Sequence, residues 1–92
     1  EGSVKGGLSL NVTPNPVIDR VRVVYEITQT SHVSIRLYNA SGSLNATIIG
    51  NQSQEPGIYE LFIDTEDIAT GMYFMQIITD QGVSTETISI IR

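Results

Sequence analysis

Apolar and polar residues alternate along most of this chain with a period of two, the spacing that sends successive side chains to opposite faces of a β-strand. Leu8, Leu10 and Val12 alternate with Ser9, Asn11 and Thr13, and the run stops at Pro14-Asn15-Pro16. Each proline removes a ladder donor and disfavours helix for the residue before it, so the tripeptide reads as an extended edge or crossover. Val21, Val23, Tyr25 and Ile27 oppose Arg20, Arg22 and Glu26 in a second strand, and Val33, Ile35 and Leu37 oppose Ser34 and Arg36 in a third. Asn39-Ala40-Ser41-Gly42 then turns the chain, with Gly42 as its left-handed residue, into a fourth strand over Leu44 to Ile49. Gly50 to Gly57 reads as a polar loop, and Ile58 to Ile63 as a fifth strand with Tyr59, Leu61 and Ile63 inward. Asp64 to Thr70 makes at most one helical turn, plugged by Ile68; Met72 to Thr79 and Val83 to Ile91 are the sixth and seventh strands. The seventh carries Ile88 and Ile90 on one face.

The organising stretch runs from Asp67 to Thr79, where a short Thr/Gly-rich corner feeds an aromatic and β-branched strand. Gly71 stands where a chain leaving one sheet must turn into the next, a place that favours a residue able to take positive φ. Tyr73, two residues on, is in position for a corner tyrosine that plugs the core and bonds backbone with its hydroxyl. Seven short strands with turn signals between them and no amphipathic helix predict an all-β, antiparallel, immunoglobulin-like sandwich with Greek-key connections. The same alternation points Val24, Ile58, Phe62, Phe74 and Ile78 away from the core, and if several of them share one sheet face they would form a patch of partner-binding size.

Ninety-two residues bound this to one domain, with Glu1 to Gly7 read as a Gly-rich linker from a preceding domain and residues 8–92 as the domain proper. The chain has no Cys, so packing replaces disulfides and no thiolate metal site is available. A net charge of −5 disfavours nucleic acid, which needs a basic footprint, and anionic membrane surfaces for the same reason. No apolar run is long enough for direct membrane insertion as a helix. Glu1-Gly2-Ser3 lacks the features of a signal peptide, so an exported protein would carry further sequence.

Candidate chemistry is sparse. His32 is the sole histidine, and Ser, Asp and Glu show neither a nucleophile elbow nor a HExxH spacing, so neither catalysis nor a cofactor is expected. Asp64, Glu66, Asp67 and Asp80 could offer oxygens to a calcium ion, but they match no calcium-loop spacing and read as a solvated, turn-stabilising cluster. Asn-x-Ser/Thr sequons occur at Asn11, Asn39, Asn45 and Asn51, without a context that gives them meaning.

The ordered set Leu10-x-Val12-x-Pro14-Asn15-Pro16, Val33-x-Ile35-x-Leu37-Tyr38-Asn39-x-x-Gly42, Asp67-Ile68-x-x-Gly71-x-Tyr73 and terminal Ile88-x-Ile90-Ile91-Arg92 resembles the type A C-terminal sorting domain of the Bacteroidetes type IX secretion system, over Leu8 to Arg92. The resemblance implies an address rather than an activity: a domain folded in the periplasm and recognised by the outer-membrane secretion translocon. It further implies that a sortase-like peptidase removes the domain, cutting near Glu1 to Gly7, and links the cargo to lipopolysaccharide at the cell surface. By that resemblance Pro14, Asn15 and Pro16 shape the first edge, Gly42, Gly71 and Tyr73 fix turns, and Thr85 to Arg92, with Ile88, Ile90 and Ile91, present the signal. The family's final strand often carries Thr-x-Lys, whereas Thr85-Glu86-Thr87 has Thr87 in place of the lysine. Backbone along a terminal edge could then be what is read, and the same property allows a dimer through an edge strand. The alternative is an accessory carbohydrate-binding or adhesive module, or a spacer. Against sugar stacking, there is no Trp, and Tyr25, Tyr38, Tyr59 and Tyr73 fall mostly on or near core-facing positions.

Overall fold

A computed structural model describes residues 3–5, 8–13 and 19–91. The expected strands are all present, as β2 (Leu8–Thr13), β3 (Arg20–Ile27), β4 (Ser31–Asn39), β5 (Leu44–Gln54), β6 (Gly57–Asp64), β7 (Gly71–Thr79) and β8 (Gly82–Ile90). Within the stretch read as linker, β1 (Ser3–Lys5) adds a short strand that pairs with β2. The first sheet has the order β1-β2-β3-β6 and the second β5-β4-β7-β8, with every pairing antiparallel. No helix is present among the described residues. The architecture is compatible with the immunoglobulin-like sandwich expected.

Alternation builds the core directly. Leu10, Val12, Val21, Val23, Tyr25 and Ile27 from the first sheet meet Val33, Ile35, Leu37, Tyr73, Met75, Ile77, Ile88 and Ile90 from the second. Tyr59, Leu61 and Ile63 of β6 and the crossover plug Ile68 are half-buried against it. Full burial of an aliphatic side chain is worth about 1.5–3 kcal/mol, so a core of this composition can dispense with disulfides.

One expectation is corrected. Gly50 to Gly57 is not all loop: β5 continues to Gln54, with Gln52, Ser53 and Gln54 opposite Val33, His32 and Ser31. Its polarity suits an edge strand, and a bulge allows the pairing, since the register jumps between Val33↔Gln52 and Ile35↔Ile49. Asn51 takes φ 50° there, and its N–H donates to Ser34 Oγ at 3.0 Å. The outward apolar residues divide between the sheets: Val24, Ile58 and Phe62 share the outer face of the first, while Phe74 and Ile78 belong to the second. Tyr38, next to core-facing Leu37, is half-buried, with Leu44 and Phe74 as its cross-strand neighbours.

Candidate functional site

The β4–β5 turn follows from its residues. Gly42 N–H bonds Asn39 O at 2.9 Å, Asn39 N–H bonds Ser43 O at 2.9 Å, and Gly42 has φ 88°, a three-residue turn closed by a left-handed glycine. Asn39 Oδ1 accepts from Ser41 N–H, Ser41 Oγ and Ser43 N–H at 3.1, 2.8 and 3.0 Å, an Asx arrangement that rigidifies the loop.

The β6–β7 crossover lies beside it. Asp64 caps its first residues by accepting from Glu66 N–H, Thr65 N–H donates to Asp19 O, and Ile68 N–H donates to Thr65 O. Tyr73 is 5% exposed and its hydroxyl donates to Ala69 O at 2.6 Å, tying the corner to the strand it feeds. Gly71 has φ 158°, at the limit of the left-handed range, and a Cβ there would meet Tyr73 Cε1 at 3.8 Å, ordinary contact. Its role is therefore backbone placement more than steric clearance.

Register collects the motif residues at this end. Tyr73 is opposite Asn39 on one side and Ile88 on the other, and Gly71 is opposite Ile90. Between hairpin and corner a cleft of about 300 Å³ is lined by Asn39, Ala40, Ser41, Thr70, Gly71, Met72 and Tyr73. Ile91, 42% exposed, follows directly from the strand that ends here. Thr85 does not join them; it sits opposite Gln76 in mid-strand, exposed. Pro14, Asn15, Pro16 and Arg92 lie outside the described residues.

The residues considered for chemistry fall elsewhere. Asp80 is in the β7–β8 turn at the opposite end from Asp64, Glu66 and Asp67, and no metal-binding group of three or more His, Asp or Glu occurs among the described residues. Ser31, His32 and Asp80 are brought together, which the sequence reading did not anticipate. Their geometry is that of a turn clasp: Asp80 N–H donates to Ser31 Oγ at 2.8 Å, Ser31 Oγ donates to His32 O, and His32 N–H donates to Asp80 Oδ2. His32 Nδ1 is 3.5 Å from the same carboxylate oxygen, while the Ser31 hydroxyl, 2% exposed, engages backbone rather than the imidazole. A nucleophile–base pair needs the opposite arrangement.

A second corner was missed. Tyr59 hydroxyl donates to Glu55 O at 2.6 Å, four residues back as in the Tyr73 corner, and Gly57 has φ 157°. The repeated Gly-x-Tyr in Gly57-Ile58-Tyr59 and Gly71-Met72-Tyr73 was the available signal. Tyr59 also stacks on Tyr25 at 5.2 Å, and Tyr25 donates to Gln54 Oε1 at 2.6 Å. Burial raises the Tyr25 phenol above its ordinary value, with the Gln54 bond opposing and the neighbouring Tyr59 adding to the shift.

No curated protein and no solved structure matches the chain. A family model described as the secretion system C-terminal sorting domain matches residues 11–91, from β2 to the residue after β8. The chain therefore belongs to that family, whose members are the C-terminal sorting signal of type IX secretion, working with that machinery to bring proteins to the cell surface or the medium.

Proposed function

We propose that the end of the sandwich formed by the Asn39–Gly42 hairpin, the Gly71–Tyr73 corner and the exit of β8 is the face by which the outer-membrane translocon reads this sorting domain during its passage through the periplasm. The observation that carries the reading is convergence: the family-motif residues Asn39, Gly71 and Tyr73, far apart in sequence, meet around one cleft, and the β7–β8 register sets Ile88 and Ile90 beside Tyr73 and Gly71 at the same end. Ile88 and Ile90 act from inside, as core residues that hold the end together, and Ile91 and Met72 act from outside, as exposed apolar contacts. Removal by a sortase-like peptidase near residues 1–7, with transfer of the cargo to lipopolysaccharide, completes the proposal. It rests on the family resemblance, as do the roles of Pro14, Asn15, Pro16, Thr85 and Arg92.

Deleting residues 88–92 is a poor test. It takes out two fully buried isoleucines, each worth about 2–5 kcal/mol by comparison with large-to-small core changes, against a total stability of about 5–15 kcal/mol. Export would fail because folding failed. The informative experiment fuses residues 1–92 to a periplasmic reporter in a bacterium with a type IX system and compares surface delivery with a secretion-deficient strain. Ile91→Asp and Met72→Asp are expected to leave a folded reporter in the periplasm. Val83→Asp, exposed at the opposite end of the same sheet, is expected to be delivered. Equal delivery of all three would dismiss this face as the recognition surface.

A further inference from the structure

The sheet margins are not protected alike. A margin presents backbone N–H and C=O groups that another strand can take up, and proteins blunt it with shortness, bulges, proline, lysine or cover. β1 is three residues long, β5 carries three register shifts and a polar run, and β8 has β1 and β2 of the facing sheet against it. β6 has none of these devices. Its eight residues pair with β3 in unbroken register from Arg20↔Asp64 to Ile27↔Gly57, and they include neither Lys nor Pro. Its outer face carries Ile58, 72% exposed, and Phe62, 57% exposed, the two most exposed large apolar side chains among the described residues.

We infer that β6 is a self-pairing edge, on which a second copy of this chain adds its own β6 antiparallel about a two-fold axis through Glu60. In that register Ile58 lies opposite Phe62 of the second copy and Phe62 opposite its Ile58, while on the inner face Tyr59 and Leu61 exchange partners in the same way. Apolar cross-strand pairs of this kind are what stabilise a sheet. Glu60 faces its own copy, a like-charge contact that Arg22 relieves, since its guanidinium is ion-paired to Glu60 within each chain. Arg20, seated over the Phe62 ring, adds a second positive charge per chain and softens the repulsion between two chains of net charge −5. Moving the axis to Leu61 would instead set Ile58 against Asp64 and Phe62 against Glu60. The axis through Glu60 joins two four-stranded sheets into one of eight and pairs the free backbone groups of β6.

The absence of cysteine makes the register directly measurable. Residues directly opposite in an antiparallel pair have Cα atoms about 4.5–5.5 Å apart, within disulfide range. The purified 92-residue chain is expected to sediment as a dimer, and oxidised Glu60→Cys to cross-link between chains while Leu61→Cys does not. Phe62→Lys and, separately, Ile58→Lys should convert the dimer to monomer with the β-sheet circular dichroism unchanged, and Ile91→Lys should remain dimeric. A monomer at every concentration, a dimer that survives both β6 lysines, or preferential cross-linking through Leu61→Cys would each overturn the inference.

Discussion

The chain passes between sheets twice around β6, and both passages use the same local device. Between β5 and β6 the corner is Glu55-Pro56-Gly57-Ile58-Tyr59; between β6 and β7 it is Ala69-Thr70-Gly71-Met72-Tyr73. Each has a glycine with φ near 158° and a tyrosine hydroxyl 2.6 Å from the carbonyl four residues earlier. What surrounds them differs. Tyr73 is buried in the core under a crossover plugged by Ile68, whereas Tyr59 stacks on Tyr25 beside an edge and is half-exposed. A shared backbone solution can thus carry unequal weight, because burial and not geometry sets the energy of the ring.

The largest effect should separate the two corners. Tyr73→Ala removes a buried ring and is expected to cost about 3–5 kcal/mol, comparable with other aromatic-to-alanine core changes, while Tyr59→Ala should cost distinctly less. Urea unfolding of both variants measures the gap, and equal losses would mean that Tyr59 is held as firmly as Tyr73. Replacing Gly71 or Gly57 by Val should cost about 1 kcal/mol each, the low end for a disfavoured backbone conformation, because both φ values border on extended chain. Similar penalties at the two sites would confirm that the backbone device is shared even where the rings are not. Tyr73→Phe should lose about 1 kcal/mol for its buried-side hydrogen bond, and Tyr59→Phe less, because water can reach the carbonyl of exposed Glu55.

The smallest effect is a titration. A phenol whose proton is held more tightly in the folded state contributes stability that is whole below its unfolded value of 10.0 and declines as pH rises through the folded one. Stability measured above pH 10 should therefore fall, and Tyr25→Phe should flatten the fall. An unchanged slope in that variant would assign the alkaline loss to other groups.

How much of this was legible before the fold was seen depended on whether the cause was local. Strict alternation in Val21 to Ile27 and Val33 to Leu37 named the core because a period of two needs no partner to interpret it. Gly71 and Tyr73 were readable for the same reason, their bond spanning four residues. Gly57 and Tyr59 carry the same spacing, but the polar run before them reads as loop until β4 is seen to pair with it. Which outward residues share a face depends on strand order, and Phe62 and Phe74 looked alike until they were placed in different sheets. The cleft was invisible for a similar reason: Asn39 and Tyr73 meet only through pairing of strands far apart in sequence.

The position of Ile88 and Ile90 has a consequence in time as well as in space. These two side chains come from β8, the last of the described strands, yet they lie in the same core as Leu10 from β2. Local hairpins such as β7–β8 can close quickly, but contacts between distant strands form slowly, and here the core cannot seal until residue 90 exists. A chain interrupted anywhere before Ile88 presents an open, unfinished sandwich. The folded state of this domain is thus a report that the chain has been made through residue 90.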